Sequence, residues 1–353
     1  MILRRNANDN PQVSGEPQDT GDPRDTGEPP KVTGEPLLRA VDLTRHFRLG
    51  GMLAKKQVLH AVDDLDLTIG EHEIVALVGE SGSGKSTVAR LLARVYPPTR
   101  GEIYYRGRPI HKLRSRRALF WYRGEVSMVF QDPFSAFNPV FRVSHGVLRN
   151  LALHRPSLTR LERRQEAGRV FESVGLSADM LDRFPYEMSG GERQRVGFAQ
   201  ALAVRPRLIL ADEPVSMLDV SILYITHDIA SARYVADRIL VLYAGRLAEA
   251  GPTETVLRDP KHPYTQLLLS AVADDRDEDE AISADTGEPP RVINPTEGCR
   301  FRWRCPYAID KCSQVTPQPS PIGSTQVAGH VAVAAAAQQE LSKPPESRRA
   351  LSA

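Results

Sequence analysis

The sequence contains no long apolar run. Its longest strongly apolar run, Ile74 to Val78, is far shorter than the roughly 20 residues that a membrane-spanning helix needs. The alanine-rich stretch from Val331 to Ala337 is also too short, and no apolar stretch follows Arg4 and Arg5 to form a secretory signal. We therefore expect a cytoplasmic protein that reaches a membrane only through a partner.

Net charge and cysteine are also low. The 353 residues include 46 Lys and Arg against 44 Asp and Glu, and the net charge of +2 gives no reason to expect nucleic acid or anionic lipid as a partner. Hydrophobic residues make up 41% and charged residues 25%, as in ordinary globular domains. The three cysteines, Cys299, Cys305 and Cys312, are odd in number and clustered, which does not fit a disulfide framework.

The N-terminal segment, residues 1–36, is rich in proline and glycine and poor in large apolar residues. Such a composition buries too little surface to offset the chain entropy that folding costs, so we predict a disordered tail. Related tetrapeptides recur in it at Ser14, Thr20, Thr26 and Thr33, and a further copy begins at Thr286. A binding role for these repeats is the alternative to a featureless tail.

Four short apolar runs predict buried strands, and helix-like stretches such as Ser86–Val95 and Leu161–Val174 lie between the earlier ones. The runs are Ile74–Val78, Leu208–Ala211, Ile222–Ile225 and Ile239–Tyr243. Continuous apolar runs are typical of parallel strands that are covered on both faces. The pattern therefore indicates an α/β fold.

The segment from Gly79 to Ser86 reads GESGSGKS and matches the phosphate-binding pattern G-x-x-x-x-G-K-[ST] at every fixed position. Its glycines allow backbone N–H groups to face phosphate oxygens, and the helix that begins there adds its positive end. We expect Lys85 to contact the β- and γ-phosphates and Ser86 to bind Mg²⁺. A chance glycine-rich turn is the alternative, but the flanking strand and helix are the context that the motif requires.

An acidic pair, Asp212 and Glu213, follows the apolar run Leu208–Ala211. A buried strand would deliver Asp212 to Mg²⁺, and Glu213 would lie where a water could attack the γ-phosphate. Glu213 is therefore the candidate general base. Together with the phosphate-binding segment, this pair predicts a site that hydrolyses MgATP.

The stretch from Met188 to Glu192 reads MSGGE and closely resembles the signature L-S-G-G-Q of ABC ATPases, with Glu192 in place of the commoner Gln. In that family the signature contacts the γ-phosphate of ATP held by the opposite subunit. The resemblance extends to Gln131 as the Q-loop residue, to Asp219 as the D-loop residue and to His227 as the switch histidine. It also suggests Phe47 as the aromatic residue that stacks on adenine, although a core Phe is the alternative.

The resemblance and the motifs together give a set of candidate site residues. The expected nucleotide contacts are Phe47, Gly79, Ser81, Gly82, Ser83, Gly84, Lys85, Ser86, Thr87, Ser189, Gly190, Gly191 and Asp219. The expected Mg²⁺ ligands are Ser86, Gln131 and Asp212, and the expected catalytic residues are Glu213, His227 and Gln131.

Three further stretches resemble the oligopeptide and dipeptide importers within the ABC family. Val129–Pro139 resembles their Q-loop stretch, His262–Thr265 matches their H-P-Y-T motif, and Gly298–Tyr307 matches their C-terminal Cys-Pro-Tyr segment. The resemblance covers about residues 37–330. These importers use two types of ATPase subunit. The Phe-Ser-Ala-Phe-Asn-Pro stretch at residues 134–139 resembles the second type more closely than the first.

The resemblance implies a P-loop NTPase core with a parallel sheet, an antiparallel β subdomain, a helical subdomain that carries the signature, and a small C-terminal extension. We expect the nucleotide-binding domain over residues 37–270, a linker over 271–290, the Cys-containing extension over 291–335 and a frayed tail over 336–353.

The same resemblance implies an ATP-hydrolysing subunit, with ATP and Mg²⁺ as cofactors, that powers an importer of oligopeptides or dipeptides from the cytoplasmic face of the membrane. The expected partners are two membrane permease subunits, a second ABC ATPase subunit in a heterodimer or a homodimer, and an extracytoplasmic substrate-binding protein.

The interval between Asp219 and His227 departs from the family, because only seven residues lie where relatives have a whole helix. The runs Leu208–Ala211 and Ile222–Ile225 should be parallel neighbours, and a parallel crossover usually takes about a dozen residues or more. Either the strand before His227 is displaced, or the sequence lacks an internal segment and hydrolysis is impaired.

The cysteines have the spacing C-x5-C-x6-C and could hold an iron–sulfur cluster or zinc if a fourth ligand existed. Relatives often carry a cysteine after a Gly-His pair, but here Val331 follows Gly329 and His330. His330 could serve as the fourth ligand, and reduced structural thiols are the alternative.

Two other functions stay open from the sequence alone. One is a soluble ABC ATPase of translation or DNA repair, although such proteins usually carry two cassettes or a coiled-coil insertion. The other is a catalytically impaired regulatory subunit, which the short interval before His227 would favour.

Overall fold

The structure is a computed structural model that describes residues 35–50, 57–129, 137–212, 220–273 and 291–342 of the chain. The strands are β1 (Leu38–Leu49), β2 (Gln57–Ile69), β3 (Ile74–Val78), β4 (Arg100–Tyr105), β5 (Arg108–Pro109), β6 (Val126–Val129), β7 (Leu208–Asp212), β8 (Ser221–Thr226), β9 (Arg238–Tyr243), β10 (Arg246–Pro252), β11 (Ser320–Ile322) and β12 (Thr325–Val327). The helices are α1 (Lys85–Leu92), α2 (Arg116–Glu125), α3 (Ser144–His154), α4 (Arg160–Ser173), α5 (Gly190–Leu202), α6 (Ile229–Ala232), α7 (Thr253–Arg258), α8 (Pro263–Ala273), α9 (Lys311–Gln314) and α10 (His330–Ser342).

The first sheet is antiparallel and has four strands in the order β2-β1-β4-β5. Buried residues of β1 and β2, among them Leu38, Leu43 and Leu65, pack in one core with Val88 and Leu91 of α1. The sheet therefore rests against the helix that follows the phosphate-binding loop. This confirms the predicted antiparallel β subdomain.

The second sheet has eight strands in the order β11-β12-β10-β9-β3-β8-β7-β6. The strands β9, β3, β8, β7 and β6 are parallel to one another, whereas β10, β11 and β12 join as antiparallel strands. The continuous apolar runs form its centre, because each of these strands is covered on both faces. The four runs that the sequence indicates as strands are β3, β7, β8 and β9.

Strand β8 lies between β3 and β7 and is parallel to both. The strand before His227 is therefore not displaced, which rejects the first of the two explanations for the short interval. The connection from β7 to β8 runs through residues 213–219, which lie outside the described residues. A missing internal segment stays a prediction.

Helices α3, α4 and α5 pack against one another and form the helical part of the molecule. Their buried residues Val147, Leu151, Phe171 and Val196 belong to the same core as the central strands. The signature residue Ser189 precedes α5 directly. This arrangement confirms the predicted helical subdomain that carries the signature.

The C-terminal segment attaches to both sheets. Strand β12 pairs with β10 of the larger sheet, and a bridge joins Leu59 of β2 to Ile293. The His60 N–H donates to the carbonyl of Val292 at 2.8 Å, and the Asn294 N–H donates to the carbonyl of Val58 at 2.9 Å. The extension is thus hydrogen-bonded to the nucleotide-binding core rather than separate from it.

The helix bounds differ at two places from the segments that the sequence indicates. Helix α8 continues to Ala273, beyond residue 271, where the linker is predicted to begin. Helix α10 continues to Ser342, past residue 336, where the frayed tail is predicted to begin. The physical reason at α10 is its run of alanines, the residue with the highest helix propensity. Across the part of the chain that the structure describes, no helix is long and apolar enough to cross a membrane.

Candidate nucleotide-binding site

The carboxyl ends of three parallel strands meet at one edge of the larger sheet. Val78 at the end of β3 pairs with Thr226 at the end of β8, and Asp212 at the end of β7 pairs with Ile225 of β8. The phosphate-binding loop, which follows β3, and His227, which follows β8, therefore begin at the same edge. Open α/β sheets bind their ligands at this edge.

Two glycines of the phosphate-binding loop have no room for a side chain. Gly84 has a φ of 104° and caps helix α1, and a Cβ atom there would lie 2.4 Å from the carbonyl oxygen of Ala61 in β2. A Cβ atom on Gly79 would lie 2.2 Å from the carbonyl oxygen of Leu242 in β9. These contacts explain the fixed glycines of the motif, because the loop passes directly over the two strands.

The Lys85 ammonium group lies along the loop. It donates to the carbonyl oxygens of Gly79 at 2.5 Å and of Glu80 at 2.8 Å. Ser86 and Thr87 follow in the first turn of α1, and the Thr87 N–H donates to the carbonyl of Gly84 at 2.9 Å. The positive side chain and the helix N-terminus together suit an anion, so the residues present fit a triphosphate with Mg²⁺ at the Ser86 hydroxyl.

A cavity of about 470 Å³ lies over the loop, and small-molecule sites usually measure roughly 300–1,000 Å³. Of the predicted site residues, those that line it are Phe47, Ser81, Gly82, Ser83, Gly84, Lys85, Ser86, Thr87 and His227. Phe47 is half-buried and stands outside the core, which disfavours the alternative of a core Phe. The structure brings these residues together, and their individual roles stay predictions.

One wall of the cavity was not anticipated from the sequence. It consists of Leu59, His60 and Ala61 of β2 together with Arg291 and Val292 of the C-terminal segment. No sequence motif points to Arg291 or Val292, because they are far along the chain from the phosphate-binding loop. The C-terminal segment thus forms part of the cavity.

The signature residues lie at the start of α5 and do not line the cavity. The Ser189 hydroxyl accepts from the Glu192 N–H at 3.3 Å, and the Glu192 carboxylate accepts from the Ser189 N–H at 2.7 Å. These hydrogen bonds, to the backbone N–H of Ser189 first, lower the pKa of Glu192. Ser189 and Glu192 therefore form a capping box, a feature that the S-x-x-E spacing offers and that sequence reasoning missed; the Gln of the usual signature would suit the same position.

Three of the candidate residues, Gln131, Glu213 and Asp219, lie outside the described residues. For Asp212 the structure gives the backbone position at the end of β7. The predicted roles of Gln131, Asp212 and Glu213 in Mg²⁺ binding and hydrolysis, and of Asp219 in nucleotide contact, stay predictions.

A polar cluster of His46, His60 and Asp63 lies beside the cavity. His60 Nδ1 is 2.8 Å from Asp63 Oδ2, and His46 and Arg300 contact the same carboxylate. Burial opposes ionisation of Asp63, but these hydrogen bonds and the charge of Arg300 outweigh it and hold its pKa well below the usual range. Because Arg300 already supplies the counter-charge, we interpret the cluster as a link between β2 and the C-terminal segment rather than as a metal site.

The three cysteines do not fit a bound metal ion. Cys299 and Cys312 are buried and Cys305 is half-buried, and burial raises the pKa of the Cys299 and Cys305 thiols. Among the described residues, only His46, His60 and Asp63 bring three ligand atoms within 4.8 Å of one another. The chain has no fourth cysteine, and His330 Nε2 lies 2.9 Å from the carbonyl oxygen of Val315.

The H-P-Y-T motif begins helix α8 and faces the phosphate-binding loop. The Tyr264 N–H donates to His262 Nδ1 at 3.0 Å, and the Tyr264 hydroxyl accepts from the Glu80 N–H at 2.9 Å. Burial lowers the pKa of His262 from its ordinary 6.5 to about 4, so the ring is neutral near pH 7. The buried Glu249 carboxylate accepts from the backbone N–H of His262 at 3.0 Å, and burial raises the pKa of Glu249.

Two family models match the chain. Residues 62–216 match the model described as ABC transporter, and residues 248–312 match the model described as oligopeptide/dipeptide transporter, C-terminal region. The two matches cover the phosphate-binding loop and the H-P-Y-T and cysteine motifs respectively.

Curated relatives and solved structures agree with these matches. The chain is 39% identical over 306 residues to the putative oligopeptide transport ATP-binding protein YkfD of Bacillus subtilis (strain 168), which covers 80% of this chain and 91% of the relative. It is 37% identical over 318 residues to the dipeptide transport ATP-binding protein DppF of Escherichia coli (strain K12), covering 83% and 94%. The dimeric bacterial ABC transporter cassette MJ0796 superimposes with a TM-score of 0.54 and 26% identity, over 61% of this chain and 98% of the cassette. The chain therefore belongs to the ATP-binding proteins of ABC transporters, in their oligopeptide/dipeptide class.

Proposed function

We propose that this chain binds and hydrolyses ATP to power the import of oligopeptides or dipeptides. The observation that carries the proposal is a cavity over the phosphate-binding loop in the same chain as a C-terminal region of the oligopeptide/dipeptide class. That second region lies outside the phosphate-binding motif. The relatives named for oligopeptide and dipeptide transport support the choice of cargo.

In the proposed reaction, the loop N–H groups and Lys85 hold the β- and γ-phosphates and balance their charge. Phe47 contacts the base, and His227 contacts the γ-phosphate from the end of β8. Glu213 accepts a proton from the attacking water. Bound Mg²⁺, held by Ser86, Gln131 and Asp212, would neutralise charge on the phosphate oxygens.

The proposal includes a second ATPase subunit, in a heterodimer or a homodimer. The support is that Ser189, Gly190 and Gly191 form the exposed start of α5 and do not line the cavity of their own chain. The relative MJ0796, which superimposes on this chain, is a dimeric cassette. The other proposed partners are two membrane permease subunits and an extracytoplasmic substrate-binding protein, with this chain at the cytoplasmic face.

The test is uptake of labelled di- and oligopeptides by cells with the gene deleted and then restored. We expect deletion to abolish uptake of at least one peptide class and the parental gene to restore it. Restoration with Glu213→Gln should fail, because that variant would bind ATP without hydrolysing it.

Two results would contradict the proposal. Unchanged uptake of every peptide tested, with loss of nickel or sugar uptake instead, would reject the cargo and leave the ATPase intact. Full restoration of peptide uptake by Glu213→Gln would favour a regulatory subunit that does not hydrolyse ATP.

A further inference from the structure

Glu80, the second residue of the phosphate-binding loop, is held from three sides. Its N–H donates to the hydroxyl of Tyr264 at 2.9 Å, and its carbonyl oxygen accepts from the Lys85 ammonium at 2.8 Å. Its carboxylate accepts from both terminal nitrogens of Arg304, at 2.7 and 2.9 Å. Two of the three partners belong to the C-terminal half of the chain, 184 and 224 residues away.

The ion pair between Glu80 and Arg304 is well shielded from water. The Arg304 side chain is 10% exposed and that of Glu80 is 24% exposed. The two hydrogen bonds that Arg304 donates to Glu80 raise the pKa of Arg304 above its already high value, against the opposing effect of burial. Two-pronged pairs of this kind fix the orientation of both side chains, which single-point contacts do not.

Arg304 is itself held in a fixed place. Its guanidinium group lies 5.7 Å from the centre of the Tyr243 ring, and Tyr243, Tyr264 and Phe301 pack with ring centres 4.6 to 5.5 Å apart. Burial of the Tyr264 and Phe301 side chains is nearly complete. Arg304, which binds the loop through Glu80, therefore packs against an aromatic cluster. Tyr264 of the H-P-Y-T motif and Phe301 of the cysteine-containing segment belong to this cluster.

The carboxylate of Glu80 has an electrostatic consequence for ATP. It places a negative charge on the loop that must accept a triphosphate, and like charges repel strongly where water is partly excluded. Arg304 cancels that charge and, through Glu80, keeps the carbonyl that receives Lys85 in place. Without Arg304, Glu80 would oppose ATP binding and the loop would lose one of its three anchors.

We propose that Arg304 is a positioning residue for ATP, which acts through Glu80 and makes the cysteine-containing segment part of the nucleotide site. The inference rests on the ATP site of the proposed function and is independent of the transported cargo. It predicts that ATP affinity depends on a residue which no phosphate-binding motif contains.

The test is a double-mutant cycle on the full-length chain, with ATP affinity measured by titration calorimetry. Arg304→Ala should weaken ATP binding by roughly tenfold, since it leaves a charged group without its partner. Arg304→Lys, which keeps the charge but loses the second hydrogen bond, should weaken binding less. Adding Glu80→Gln to Arg304→Ala should restore most of the lost affinity, because it removes the uncompensated carboxylate; Glu80→Gln alone completes the cycle.

The matched control is Arg302→Ala, two residues away. Arg302 donates to the carbonyl of Cys299 at 3.1 Å and to the hydroxyl of Thr296 at 3.5 Å, both within its own segment, so its loss should leave ATP affinity unchanged. The inference is overturned if Arg304→Ala binds ATP like the parent, or if the double variant binds no better than Arg304→Ala. Thermal unfolding of each variant identifies a general loss of structure, which Glu80→Gln would not repair. Failure of the parent chain itself to bind ATP would reject the proposed function first.

Discussion

The phosphate-binding loop and the C-terminal segment meet at Glu80, but they are encoded in different ways. The loop is a local structure, in which consecutive residues from Gly79 to Ser86 turn over two strands and start a helix. The C-terminal segment is held by distant pairs, such as Arg304 with Glu80 and Arg300 with Asp63, which are 224 and 237 residues apart. The comparison shows that one nucleotide site can combine two kinds of feature. The loop is a sequence motif that can be recognised before folding, whereas the distant ion pairs leave no pattern among neighbouring residues.

The comparison predicts a large loss of ATP affinity when the locally encoded loop is changed at Gly84. Gly84→Ala would place a methyl group 2.4 Å from a carbonyl oxygen in a backbone conformation that alanine avoids, so the loop must move. We expect ATP affinity to fall by roughly 100-fold, from strain of 1–3 kcal/mol plus displaced N–H groups. Calorimetric titration with ATP measures it.

The matched control for Gly84 is Gly175→Ala, after helix α4. Gly175 has a φ of 71°, but a methyl group there would meet nothing within 4 Å. This variant should share the backbone strain while its ATP affinity stays at the parental value. Equal loss of ATP binding in both variants would contradict the assignment of the loop.

An effect of a different kind is expected among the distant contacts, at His262, and it concerns the stability of the fold against pH. Between its pKa of about 4 in the folded chain and 6.5 in the unfolded chain, the unfolded state binds more protons at this group. The contribution of His262 to the free energy of unfolding therefore falls as the pH falls from 6.5 to 4, by at most about 3 kcal/mol. Urea denaturation at pH 7, 6 and 5 measures it.

The pH dependence of the parent alone cannot isolate His262, because Glu249 changes the free energy of unfolding in the opposite direction as the pH falls. Burial raises the pKa of this carboxyl group, so the folded state holds its proton to higher pH than the unfolded state does. We expect His262→Gln to be less stable than the parent at pH 7 but to lose less stability on acidification. The exposed residue His145 provides the control, His145→Gln, with the parental slope. A parental slope in His262→Gln would show that His262 does not carry the effect.

Much of the fold could be predicted from the sequence. The apolar runs at Ile74, Leu208, Ile222 and Ile239 are the central strands, because burial on both faces demands uninterrupted apolar residues. The phosphate-binding loop followed from its glycine spacing. In each case the physical requirement acts on neighbouring residues, so the pattern is visible before folding.

The remaining features depend on tertiary contacts. Nothing near Val292 in the sequence indicates that it lines the nucleotide cavity, and nothing near Arg304 indicates that it binds Glu80, since their partners are supplied by β2 and by the phosphate-binding loop. The capping box at Ser189 and Glu192 is visible in the S-x-x-E spacing, but the same residues also form the family signature, so one stretch carries a structural and a nucleotide-binding pattern. The predicted tail from residue 336 overlaps α10, because the sequence contains no helix stop signal near that position and the alanines before it favour a helix that continues to Ser342.

The central claim is that the cavity over Lys85 is an ATP site, and binding of MgATP to the full-length chain tests it most directly. Lys85→Ala should weaken binding by roughly 100-fold, because the ammonium group is the charged partner of the phosphates at this loop. The control Lys112→Ala removes an exposed lysine from a 3-10 helix outside the cavity and should bind like the parent. Calorimetric titration that shows tight binding to the parent and to Lys112→Ala, with almost none to Lys85→Ala, would support the account. Equal binding by all three chains would contradict it.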